Sequence, residues 1–230
     1  MRFILYFDQL YRHWAPVLLG SIRLYEPNAK VTCFCYNMDK SQIAEVVDAG
    51  ADIVYQSHIE PLNGEEVRFH IISRKASMIL QVLQETDDGL YVMMDVDMLL
   101  LRPLTVLKEV MWHFDMGAVT AHREKFCGGF YAFRCTTMSI AFLTQWEMFL
   151  TTGKLYWDKD QPSMASIANK LIREEDFRVL SLPRTFLDHK SLAHSFVWSA
   201  HKSELGSKAE RFNIYSSMLE KMKSDARAAV

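Results

Sequence analysis

Cysteine is scarce. The 230 residues carry four, Cys33, Cys35, Cys127 and Cys135, too few and too scattered for a disulfide framework in a chain of this length. A reduced, cytoplasmic compartment is the simplest expectation. An excess of charge of one sign is missing as well. The 26 Lys+Arg against 28 Asp+Glu leave a net charge of −2, so no nucleic-acid partner is expected. No apolar run reaches the roughly 18 residues of a membrane span, and none is expected. The opening Met1-Arg2-Phe3-Ile4-Leu5-Tyr6-Phe7-Asp8 has too short an apolar stretch for a signal peptide and meets an acid where a small-residue cleavage site would stand. Internal repeats, low-complexity tracts and linker-like segments are also lacking. A single domain over residues 1–230 is therefore expected, with 203–230 a C-terminal helical segment packed on it.

What is present is globular. Half of the residues are hydrophobic and 23% are charged, in a chain of a size that buries one α/β core. Arg2 to Phe7 reads as a buried strand ending at Asp8. His13 to Leu24 has helical apolar spacing and stops at Glu26-Pro27-Asn28. Val31 to Tyr36 reads as a strand, Ser41 to Ala49 as a helix closing at Gly50, and Ala51 to Tyr55 as a third strand. That βαβαβ rhythm predicts a mostly parallel sheet flanked by helices. Ser57 to Arg68, with Pro61 and Gly64, reads as a loop, and Phe69 to Gln84 as one helix. Asp87-Asp88-Gly89 turns the chain into the apolar strand Leu90 to Met94. Strands are expected again at Ala118 to Thr120 and Phe130 to Phe133, and helices at Ile140 to Leu150, after Pro162 to Ile172, and from Lys208 onward. The last carries Phe212, Tyr215, Met218, Leu219 and Met222 as one apolar stripe. Cys33-Phe34-Cys35 has metal-ligating side chains but lies in an apolar strand with no second ligand pair, so it is read as core.

The chemistry concentrates in Tyr91-Val92-Met93-Met94-Asp95-Val96-Asp97-Met98-Leu99-Leu100. Strand alternation would send Asp95 and Asp97 to one side, at the end where open α/β sheets hold ligands. Two carboxylates on one face make a hard-oxygen site for Mg²⁺ or Mn²⁺, an ion that bridges the phosphates of a nucleotide diphosphate. The competing reading makes Asp-x-Asp an ordinary turn, with Arg102 neutralising the acids. So apolar a run makes two uncompensated charges costly to desolvate, which favours the cation.

At this point the chain resembles the nucleotide-diphospho-sugar transferases of the GT-A fold, especially the retaining family of glycogenin and the lipooligosaccharide galactosyltransferases. Asp95-Val96-Asp97 followed by Arg102-Pro103-Leu104 is similar to that family's D-x-D and the "P-L" after it. Phe7-Asp8-Gln9-Leu10-Tyr11 resembles its "A-D-x-x-Y", with Phe7 in place of the alanine; the resemblance implies Asp8 and Tyr11 as receivers of the nucleoside. Ser73-Arg74-Lys75-Ala76 resembles the segment that aims a basic residue at the donor, leaving Arg74 and Lys75 both open. Cys127-Gly128-Gly129-Phe130-Tyr131 resembles the stretch that lines the donor sugar, with Cys127 where the family has asparagine. Paired glycines permit positive φ and close approach of backbone to ligand, although a plain turn before a strand would use them too.

Asp160-Gln161 resembles the "D-Q" beneath the reacting sugar carbon. Asp158-Lys159-Asp160 is a second D-x-D, but it precedes a helix and also reads as a first-turn acid ahead of Pro162. For the family's "H-x-x-G-x-x-K", no window fits without a shifted gap. His201 is expected as third metal ligand and Lys208 on the phosphate, with His194 and Lys202 as substitutes.

The resemblance thus implies a UDP-sugar donor, a glycan or other hydroxyl acceptor, Mn²⁺ or Mg²⁺, and retention of configuration. The metal ligands would be Asp95, Asp97 and His201. Asp8, Tyr11, Arg74, Lys75, Asp95, Val96, Gly128, Gly129 and Lys208 would hold the donor, with Asp160 and Gln161 at the reacting carbon. A sugar-phosphate nucleotidyltransferase would carry a glycine-rich loop and lysine after its first strand, and Asp8 to Gly20 has none. A non-catalytic nucleotide- or glycan-binding module of the same fold is the other alternative.

Overall fold

The computed structural model describes residues 1–60, 64–85, 89–120, 126–152, 160–188, 194–199 and 207–228. The chain alternates in its first half: β1 (Arg2–Asp8), α1 (Ala15–Tyr25), β2 (Lys30–Tyr36), α2 (Lys40–Asp48), β3 (Ile53–Ser57), α3 (Gly64–Ser73), α4 (Lys75–Gln84) and β4 (Leu90–Asp95). Then come β5 (Leu99–Leu100), α5 (Thr105–Val110), β6 (Met116–Thr120), β7 (Phe126–Arg134), α6 (Thr137–Thr151), α7 (Asp160–Glu174), β8 (Val179–Leu182), β9 (Val197–Trp198) and α8 (Lys208–Ala228).

Seven strands form one sheet in the order β3-β2-β1-β4-β7-β6-β8. The pairings β1 with β2, β1 with β4, β2 with β3 and β6 with β8 are parallel, and β7 alone runs against both of its neighbours. The expected mostly parallel sheet flanked by helices is therefore the observed fold. β5 and β9 form a separate antiparallel pair.

Side-chain alternation sorts the strands onto two cores. Phe3, Leu5 and Phe7 of β1 and Val92 and Met94 of β4 enter one core with α1 and α8. Ile4 of β1 and Tyr91 and Met93 of β4 enter the other, under α3, α4, α6 and α7. Period two then assigns Tyr6 and Asp95 to this second face, and they are register partners across β1 and β4. Cys33 and Cys35 are fully buried in the first core and are free thiols, which agrees with their reading as core.

Several boundaries differ from the sequence reading. The presumed loop over 57–68 gives way to α3 at Gly64, whose Val67 and Ile71 are buried at i, i+4 spacing. The single helix expected from Phe69 is two, broken at Arg74, which adopts φ −95° and ψ −2° and caps α4. β4 ends at Asp95 and residues 96–97 form a turn. The period-two argument therefore stops one residue short of Asp97. The short elements β5, α5, β8 and β9 were not anticipated. α8 packs on α1 through its apolar stripe, and Tyr215 lies between Trp14 and Trp198, at ring-centroid distances of 5.4 and 4.4 Å. Leu219 lies over Gly20, where a Cβ would stand 2.9 Å from its Cδ2.

Candidate active site

A cavity of about 280 Å³ opens at the C-terminal ends of β1 and β4. From β1 and its following turn come Tyr6, Phe7, Asp8 and Tyr11; from α3 and α4 come Arg68, Ile71, Ile72 and Lys75. Asp95, Val96 and Asp97 line it from the end of β4, and Gly128, Asp160 and Gln161 from the opposite side. Nine of the expected site positions are thus assembled around one space by five separate stretches of chain, with Gly129 next to it. What brings Asp97 beside Asp95 is the turn after the strand.

Lys75 is the centre of charge. Its ammonium lies 2.8 Å from Asp160 Oδ2, with both side chains 5% exposed, and 3.9 Å from Asp95 Oδ1. The rings of Tyr6 and Tyr131 flank it, at 5.3 and 6.0 Å from Nζ to the centroids. Burial opposes the charge on Lys75, but Asp160, and behind it Tyr6 and Asp95, outweigh burial and hold its pKa well above the usual lysine value. The amine is a permanent cation. The Tyr6 hydroxyl donates to Asp95 Oδ1. Burial first, and then the Asp95 carboxylate, push the Tyr6 pKa well up, so the phenol keeps its proton.

The two glycines are explained by their neighbours. Gly129 has φ +103°, and a Cβ there would collide with Met98 Cε and stand 2.7 Å from Asp95 Oδ2. At Gly128 a Cβ would meet Gln161 Nε2 at 2.8 Å. Both absent side chains keep the carboxylate and the carboxamide uncovered.

Asp8 is buried at 4% exposure, and its Oδ1 accepts from the backbone N–H groups of Leu10 and Tyr11 at 3.0 and 3.2 Å. This Asx turn fixes how the chain leaves β1. It directs Tyr11 to the cavity, where the Tyr11 hydroxyl accepts from Arg68 Nη2 at 2.7 Å.

Not every expected residue joins. Arg74 is exposed at the break between α3 and α4 and lies outside the cavity lining; the basic residue within is Lys75. His194 is exposed and also outside it. His201, Lys202, Asp158 and Lys159 fall outside the described residues, and Lys208 opens α8 without a described side chain. Arg102 is exposed and does not line the cavity. Asp160 is the first residue of α7, a first-turn acid as well as a cavity residue. Tyr6 and Arg68 were missed. Tyr6 was legible as the polar ring two residues before Asp8 on the same face of β1. Arg68 was hidden by the loop assigned to its segment.

The donor set suits a hard divalent cation. Two carboxylates line one cavity, Asp95 keeps a third of its side chain exposed, and Gly129 leaves its Oδ2 unobstructed. Among the described residues no group of three His, Cys, Asp or Glu side chains comes together to hold a metal ion, so a third protein ligand is not defined there.

A family model described as nucleotide-diphospho-sugar transferase matches residues 38–216. No curated protein matches. Among solved structures, the galactosyltransferase LgtC in complex with donor and acceptor sugar analogs superposes with a TM-score of 0.55 at 16% identity, covering 95% of this chain and 96% of that one. The glycosyltransferase GlyE of Streptococcus pneumoniae TIGR4, in its apo form, gives 0.63 at 11% identity over 98% of this chain, which spans 63% of GlyE. The bifunctional glycosyltransferase WbbM gives 0.57 at 13% identity, over 94% of this chain and 44% of that one. At such identities these likenesses establish the fold, GT-A. The match of the family model over most of the chain establishes the rest: the chain belongs to the nucleotide-diphospho-sugar transferase family.

Proposed function

We propose that this chain transfers a sugar from a UDP-sugar to a hydroxyl acceptor with the help of Mn²⁺ or Mg²⁺, retaining the anomeric configuration. The observation that carries the reading is the pair Asp95 and Asp97 lining one cavity with a buried Lys75–Asp160 ion pair beneath it. That LgtC has been solved with donor and acceptor sugar analogs on this fold supports a two-substrate site.

Asp95 and Asp97 would hold the cation, with a third position for His201 or solvent; when bound, it supplies positive charge to the diphosphate leaving group. Asp8 orders the backbone that meets the nucleoside, and Tyr11, held by Arg68, walls that end. Lys75 is a fixed cation in the cavity lining, held in place by Asp160. The acceptor oxygen attacks the anomeric carbon as its bond to the phosphate oxygen breaks. The departing phosphate takes the acceptor's proton, and Asp160 and Gln161 stabilise the oxocarbenium-like carbon. Gln161 stays free for this because Gly128 has no side chain to cover it. Lys208 and Val96 complete the proposed donor contacts.

The test is UDP release from a panel of UDP-sugars with and without Mn²⁺. Metal-dependent release with at least one donor is expected. Binding of UDP and Mn²⁺ with no turnover on any donor and acceptor would instead assign a binding module.

A further inference from the structure

We propose that Tyr6 is a positioning residue of the metal site, whose hydroxyl bond to Asp95 decides which carboxylate the buried Lys75 ammonium holds. This rests on the reading of Asp95 as a cation ligand. Lys75 stands between two acids, at 2.8 Å from Asp160 Oδ2 and 3.9 Å from Asp95 Oδ1. The oxygen it fails to close upon is the one that the Tyr6 hydroxyl occupies. A buried ammonium on a flexible four-carbon stem gains by pairing with both acids, and a divalent cation competes with it for the same carboxylate. By taking Asp95 Oδ1, Tyr6 leaves Lys75 to Asp160 and leaves Oδ2, beside Gly129, for the ion. Strand register makes the arrangement rigid: Tyr6 and Asp95 are partners on neighbouring strands, facing the same side. The phenol ring also lies against Lys75, 5.3 Å from Nζ to its centroid.

Tyr6→Phe keeps the ring and removes only the hydroxyl. Mn²⁺ binding, measured by the electron paramagnetic resonance signal of the free aquo ion without any sugar donor, is expected to weaken about tenfold or more, as when other partners of metal-ligating side chains are removed. The same substitution made together with Lys75→Met and Asp160→Asn, which remove both buried charges at once, is expected to cost no affinity beyond that background, since the competing ammonium is gone. Melting curves of all variants report that they are folded. An unchanged Mn²⁺ affinity in Tyr6→Phe overturns the inference and leaves the proposed function standing. So does an equal loss in the background without Lys75 and Asp160, because Tyr6 would then act without reference to Lys75. Wild-type protein that binds no Mn²⁺, or binds it equally well as Asp95→Asn, overturns both.

Discussion

The individual residues that matter most here are defined by what surrounds them. Gly129 has a left-handed backbone and no room, so Gly129→Ala is expected to lower stability by about 2 kcal/mol or more and to displace Asp95. Chemical denaturation, with Mn²⁺ affinity measured alongside, checks both effects. Asp160→Asn leaves the Lys75 ammonium buried with its nearest counterion removed, and about 3 kcal/mol of stability should go with it, the lower end for breaking a buried pair. A variant with an unchanged urea midpoint would show that the pair is not held together in solution. Cys35 gives the pH dependence. Burial raises its thiol from 9.0 to about 12, so the unfolded chain loses that proton first. The contribution is intact below about pH 9 and declines as pH climbs towards 12, by about 1.4 kcal/mol per unit. Cys35→Ala should therefore show a flatter stability profile than wild type between about pH 9 and 11, measured by urea denaturation at each pH. Raised pKa and burial together also keep this thiol protonated and closed to reagents in the native state.

At the level of elements, the sequence pattern served best where one face is apolar and the other is not. β1, β2, α2, β4 and α8 lie within a residue or two of their expected ends because period and punctuation agree there: Asp39 and Gln42 close a capping box on α2. The failures share a cause. β8 and β9 are short and obtain their geometry from partners distant in sequence, Met116–Val119 and Leu99–Leu100, so no local signal specifies them. Arg74 breaks what reads as one periodic helix, and neither glycine nor proline marks the break. The docking of α8 offers a direct test of tertiary packing. Leu219 is 4% exposed and rests on Gly20 of α1. Leu219→Ala should destabilise by about 2–4 kcal/mol, read in the urea midpoint, while Met148→Ala, on an exposed side chain of α6, should leave it unchanged.

On the scale of the whole molecule, the site is a property of topology. No local segment contains it: β1 brings Tyr6 and Asp8, α3 and α4 bring Arg68 and Lys75, the end of β4 brings the acidic pair, and α7 brings Asp160 and Gln161. The motifs were legible one at a time, but their mutual arrangement was not. Lys75 and Asp160, read separately as a donor contact and a group beneath the reacting sugar carbon, are bonded to each other. That link depends on α4 and α7 covering the same face of the sheet, which spacing along the chain does not encode. The same topology leads to the most decisive experiment on the acidic pair. A ligand that binds only the folded state at a hundred times its Kd raises stability by about 2.7 kcal/mol. UDP with Mn²⁺ should therefore raise the melting temperature of the wild-type chain by several degrees. In Asp95→Asn with Asp97→Asn that rise should vanish while the melting temperature without ligand stays the same or increases, because two neighbouring carboxylates no longer repel. A double variant that still shows the full UDP–Mn²⁺ shift would make the pair a structural turn and move the nucleotide elsewhere on the molecule.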